Sequence, residues 1–179
     1  VGVCSSDELF KFSPTGQFTD GSPYTGGGLS GSGFGVAINP ATGDVWVSNY
    51  GFAAPDPGCP TADQPPHNSV SIFTADGTAL TDSSGITAGA LNWPQGTIFD
   101  DEGSVWFANC NTSTLTVYPD ADPTKARTIG DLGLDQAFGL VDNGTSIFAT
   151  GTASSTVAVL DRDGTPLPGS PFSGGGLDR

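Results

Sequence analysis

The chain has 179 residues, of which 19 are acidic and 5 basic, and its formal net charge is −14. That excess repels phosphate backbones and anionic membrane surfaces and argues against nucleic acid as a partner. No apolar run approaches the roughly 18 to 20 residues that span a bilayer, so no membrane insertion is predicted.

Twenty-seven glycines and 14 prolines, set among many Val, Ile, Thr and Phe residues, predict short strands joined by tight turns. In chain order, residues 8–12 alternate as a strand and lead into the turn Thr15-Gly16, and a glycine-rich approach follows over 22–29. Residues 34–38 open a second unit through glycine, 44–49 form an aromatic and β-branched strand, and 69–73 form another that ends at the turn Asp76-Gly77. The same order recurs at 95–99, 104–109 and 114–118, with residues 120–123 as the turn. It recurs again at 138–141, 146–150 and 156–160, with Asp163-Gly164 as the turn. The tail 170–177 then repeats 22–29 almost residue for residue.

Four strands in about 43 residues is the size of one β-propeller blade, a small antiparallel sheet that buries its faces against its neighbours. The fold class expected is therefore all-β, a single β-propeller domain or part of one, with about three and a half four-stranded blades. Residues 1–33 supply the outer strands of a first blade. Three further blades occupy 34–94, 95–137 and 138–179, and 51–67 is an insertion in the first of these. A closed ring needs at least four blades and often six or seven, so the expectation is a fragment of a six- or seven-bladed ring, or a ring completed by a second copy or another chain. The chain opens on Val1 and contains no Met, so a processed or incomplete chain is expected.

The strings Pro94-Gln95-Gly96 through Asp100 and Glu102-Gly103-Ser104-Val105-Trp106-Phe107-Ala108-Asn109 resemble the NHL-repeat propellers and the related virginiamycin B lyase-like and gluconolactonase-like groups. The resemblance implies a scaffold whose members bind proteins, RNA or small molecules, a minority being enzymes. The lyase-like members imply a His with metal-assisted proton abstraction. This chain has one His, His67, outside the repeat, and the spaced Glu, Asn and Asp ligands of a gluconolactonase-like site are not apparent.

In a propeller the links after the second and fourth strands share one face. The insertion 51–67 lies there with five prolines, two Asp and a Cys, where a rigid scaffold often carries binding function. On this face Asn49, Tyr50, Asp56, Asp63, His67, Trp93 and Asn109 are the candidate ligand-binding residues, and no catalytic set is assigned. Cys4 and Cys110 hold the same register two blades apart, too far for the roughly 4 to 7 Å between disulfide Cα atoms. Cys59 reaches either; the pairing Cys59 with Cys110 is preferred, Cys59 with Cys4 or free thiols being the alternatives. A disulfide would accompany an extracellular, cell-surface or periplasmic location.

The cysteine spacing excludes a zinc ribbon. For calcium, Asp56 and Asp63, or Asp100, Asp101 and Glu102 on the opposite face, offer oxygen ligands without EF-hand spacing, so solvated turns are expected there. Trp46 and Trp106 are expected to pack between blades. The leading reading is a non-enzymatic, extracytoplasmic scaffold without a cofactor, for binding a protein, small molecule or glycan, or for surface assembly. The alternative is a metal-dependent lactonase- or lyase-like enzyme whose site is completed by blades not present here.

Overall fold

The computed structural model describes residues 7–31, 34–50 and 68–177. The chain forms an all-β fold of three antiparallel sheets, divided into two compact units, Val1–Thr87 and Ala88–Arg179.

In the first unit a two-membered hairpin comes first. Leu9 and Tyr24 exchange backbone hydrogen bonds of 2.9 Å in both directions, and Phe12 bridges Phe18. The turn between them uses Gly16 at φ +79°, a backbone state that glycine alone adopts freely. Strands β1 (Val36–Ile38), β2 (Val45–Asn49) and β3 (Ser69–Phe73) then pair in sequence order, with Val36 opposite Val47 and Trp46 opposite Ile72. The expected strand over 8–12, and the fourth strand of the 34–94 repeat, exist as isolated bridges: Leu9 to Tyr24 and Phe12 to Phe18 in the first, Val70 to Ile86 and Phe73 to Ala79 in the second. Alternation places Leu9, Leu29, Val47 and Phe73 in one buried cluster, with Tyr24 and Val45 against it.

The second unit holds two four-stranded sheets. One runs β4 (Pro94–Phe99), β5 (Val105–Asn109), β6 (Thr114–Tyr118) and β7 (Arg127–Ile129); the other β8 (Ala137–Asp142), β9 (Ile147–Gly151), β10 (Thr156–Leu160) and β11 (Phe172–Ser173). Each pairs neighbours in chain order, and the two carry the same register shift, between Pro94 and Thr97 in the first and between Ala137 and Leu140 in the second. Where the repeat replaces Asp-Gly by 120–123, the chain makes two 3-10 turns, Pro119–Ala121 and Pro123–Lys125. Asp122 caps the second by accepting from the Thr124 N–H at 2.9 Å.

Between these two sheets lies one apolar core. Trp106, Ala108, Leu115 and Val117 of the first meet Ala137, Ile147, Ala149, Ala158 and Leu160 of the second. Aligning the sheets by their pairings makes Trp106 correspond to Phe148, Ala108 to Thr150, Leu115 to Val157 and Val117 to Val159. The first set is fully buried, whereas Thr150 is exposed and Phe148 and Val157 are half-buried, so three of these four strand positions are covered in one sheet and more open in the next, Val159 being buried in both.

Candidate functional site

Asn49 and Asn109, the last residues of β2 and β5, are both completely buried. The Asn49 amide nitrogen donates to the Ser69 and Ser71 hydroxyls, each at 2.9 Å, and its oxygen accepts from the Ser30 N–H at 3.1 Å. Asn109 repeats the arrangement: it donates to Thr116 at 2.9 Å and Thr114 at 3.2 Å, and accepts from the Asn92 N–H at 3.1 Å. Each amide thus ties the second strand to the third and to the link that enters the sheet. Strand alternation places the two hydroxyls on one face, two residues apart, at the reach of the amide.

The last sheet solves the same problem differently. Gly151 stands in the Asn position, and the Ser154 hydroxyl fills the space a side chain there would need. Ser154 accepts from the Asp135 N–H at 2.9 Å and shares a 2.6 Å hydrogen bond with Thr156. Two different side chains serving one set of partners identify the position as architectural. Replacing Asn109 by Ala removes its three hydrogen bonds and leaves the half-buried Asn92 N–H without its acceptor, while Thr116 and Thr114 keep Gly89 and Thr112 as partners, and we expect a loss of about 1 to 2 kcal/mol in urea unfolding.

Tyr50 is 6% exposed, and its ring lies 5.4 Å from that of Phe34. Trp93 is half-buried at φ +51°, and its carbonyl accepts from the Cys110 N–H at 3.1 Å. Asp56, Asp63, His67, Cys59 and Cys4 lie outside the described residues. The structure therefore places Asn109, Trp93 and Cys110 together in the second unit, and Asn49 with Tyr50 in the first. The Cys110 thiol is half-buried, and burial, with the Asp135 carboxylate nearby, pushes it up from its ordinary value. As a thiol it is disfavoured as a thiolate nucleophile at neutral pH.

On the opposite side of the strands, the expectation of a solvated turn over Asp100, Asp101 and Glu102 holds for part of it only. Asp100 is 3% exposed. One of its oxygens accepts the Glu102 and Ser104 N–H groups at 3.1 and 2.8 Å, and the other accepts the Trp106 indole N–H at 2.8 Å. Arg162, from the turn after β10, reaches this group. It contacts Asp101, spans both oxygens of Asp142 at 3.1 and 3.2 Å, and lies 3.8 Å from Asp100. Burial works against the guanidinium charge, but the Asp101 hydrogen bond and the fields of Asp142, Asp101 and Asp100 outweigh it and raise its pKa. Three carboxylates from two adjacent hairpins are thus held by one cation of the protein itself. Among the described residues no cluster of three His, Cys, Asp or Glu side chains has the geometry of a metal site.

Sequence reasoning missed Arg162 because its partners lie on separate hairpins up to 62 positions away. The Asn role was within reach: Asn49 with Ser69-Val70-Ser71 and Asn109 with Thr114-Leu115-Thr116 carry one pattern. A concavity of about 670 Å³ lies on the outer side of the last sheet, lined by Gln136, Thr150, Thr152, Val157 and Leu177.

No family model matches the sequence, and no curated protein matches it significantly. Solved structures do match the fold. A streptogramin B lyase superposes with a TM-score of 0.65 at 15% identity, over 95% of this chain and 49% of that one. Virginiamycin B lyase from Staphylococcus aureus superposes with a TM-score of 0.64 at 10% identity, over 96% of this chain and 50% of its own. A catalytically inactive form of that lyase with quinupristin superposes over 80% of this chain, at 13% identity and a TM-score of 0.50. The fold is therefore similar to that of the virginiamycin B lyase-like propellers, and the chain spans about half the length of these structures. At these identities the likeness concerns fold, and activity is a separate question.

Proposed function

We propose that the chain is an extracytoplasmic, non-enzymatic propeller scaffold of about three and a half blades that binds a protein, small molecule or glycan on the face carrying the insertion 51–67. The observation that carries this reading is the use made of the repeated polar residues. Asn49 and Asn109, the side chains best placed by the repeat to meet a ligand, have their amides occupied by Ser69, Ser71, Thr114 and Thr116. Recognition then falls to residues of the insertion 51–67, including Asp56, Asp63 and His67. Pairing of Cys59 with Cys110 would pin the insertion to the scaffold and suits an oxidising compartment.

The likeness to the streptogramin-cleaving propellers supports a second reading, a metal-dependent lyase- or lactonase-like enzyme completed by further blades. Incubation with quinupristin and with simple lactones, with and without added divalent metal, separates the two. The scaffold reading predicts no turnover by the chain and the same result for His67→Ala. Metal-dependent turnover that His67→Ala abolishes would establish the enzyme and overturn the scaffold.

A further inference from the structure

We infer that Asn143-Gly144 is a site of spontaneous backbone modification which the turn between β8 and β9 holds shut, so that it reacts only when this hairpin opens. Asn143 is the one Asn in the sequence that glycine follows; the others precede Pro, Tyr, Ser, Trp, Cys or Thr. Glycine has no Cβ to hinder approach through its own nitrogen. In an open chain the Gly144 nitrogen bonds to Asn143 Cγ and gives up its proton to water. The Cγ–Nδ2 bond then breaks and ammonia leaves, which closes a cyclic imide. Water opens that ring at either carbonyl, to aspartate or to isoaspartate, and no other co-reactant is needed.

The folded turn keeps both reacting groups engaged elsewhere. Asn143 Oδ1 accepts from the Thr145 N–H and hydroxyl, each at 3.0 Å, and from the Ser146 N–H at 2.8 Å. The Gly144 N–H, whose nitrogen is the nucleophile, donates to Asp142 at 2.9 Å. Imide closure needs a nearly eclipsed Cα–Cβ bond, whereas side chains rest in staggered wells. Rotation out of the well withdraws Oδ1 from its three donors, and attack withdraws the Gly144 nitrogen from Asp142. The Asn143 N–H, bonded to the Ser146 carbonyl at 3.2 Å, holds the backbone of the same turn. All these partners lie within 142–146, so Asn143 is restrained although its side chain is exposed. The restraint depends on no neighbouring sheet and on no ligand.

Comparison with the preceding sheet shows what the reaction would change. Strand pairing makes Asn143 the counterpart of Asp100, which accepts the Glu102 and Ser104 N–H groups in the same way. A carboxylate therefore serves this turn as well as an amide does, and the aspartate product keeps the cap. The isoaspartate product adds a methylene to the backbone and loses it, beside the pairing of Asp142 with Ile147. Asp142 also accepts the Asp101 N–H at 3.2 Å and is spanned by Arg162. Opening the turn thus reaches the contact between the two sheets, and the iso product makes that change irreversible.

Peptide mapping by mass spectrometry of the 179-residue chain, incubated at mildly alkaline pH with and without urea, tests the inference. Conversion of Asn143 is expected to be at least about 10-fold slower in the folded chain than in urea, since four hydrogen bonds must first be given up. Thr145→Val removes one donor at an exposed position and is expected to speed conversion in the folded chain about 3-fold, with no change in urea. Asn109→Ala, which weakens the fold away from this turn, is expected to leave the folded rate unaltered. Conversion as fast in the folded chain as in urea, indifference to Thr145→Val, or acceleration by Asn109→Ala equal to that by Thr145→Val would each overturn it.

Discussion

Replacing Arg162 by Met is expected to destabilise the second unit by about 3 kcal/mol, because it leaves buried carboxylates without their cation. The side chain is 14% exposed, and the carboxylate side chains of two of its partners, Asp100 and Asp142, are 1% and 11% exposed. The third, Asp101, is 61% exposed and contributes little. Denaturant unfolding followed by tryptophan fluorescence measures the loss. The double variant Arg162→Met with Asp142→Asn separates charge from packing: relieving the repulsion should return part of the stability, and no return would show that the guanidinium acts only by filling space.

A larger loss is expected for Trp106→Ala, about 3 to 5 kcal/mol, which lowers the melting temperature by roughly 10 °C or more. Trp106 is fully buried at the centre of the core between the two sheets, and its indole N–H is the donor to Asp100. Truncation therefore opens a cavity and strands one buried oxygen of Asp100, while Arg162 lies nearest to the other. Trp106→Phe keeps most of the volume and loses the hydrogen bond, so calorimetry of the two variants divides the effect between packing and polarity. Because Asp100 is shared, Trp106→Phe and Arg162→Met should be non-additive.

The repeat made most of the fold legible. Period, turn glycines and alternation located β1 to β6 and β8 to β10 within a few residues, because each follows from local chemistry: Gly77 and Gly164 at positive φ, and two-residue alternation over 114–118 and 156–160. Weak pairing was not legible. Residues 8–12 alternate as well as any strand, yet they make isolated bridges, since ladder length depends on partners the local sequence does not encode.

The hydrogen bonds that occupy the repeated Asn side chains were not legible. Asn at the end of a strand beside a variable loop is a natural ligand contact, and only the hydroxyls one strand away, at Ser69 and Ser71 or Thr114 and Thr116, turn it inward. Gly151 with Ser154 carried the clue, since a binding residue need not be replaced by another group serving the same backbone partner. Asp100 misled for the opposite reason: an Asp-Asp-Glu-Gly run reads as solvent-exposed, and its burial depends on Trp106 and on Arg162 far along the chain.

The account rests most directly on those two Asn side chains being structural. Hydrogen exchange of their side-chain amide protons, followed by NMR on the native protein, measures this. Donation to Ser69 and Ser71, and to Thr114 and Thr116, predicts that the amide protons of Asn49 and Asn109 exchange far more slowly than those of the exposed Asn143. Exchange of Asn49 and Asn109 as fast as Asn143 would contradict it, and would return both side chains to the surface as free contacts for a ligand.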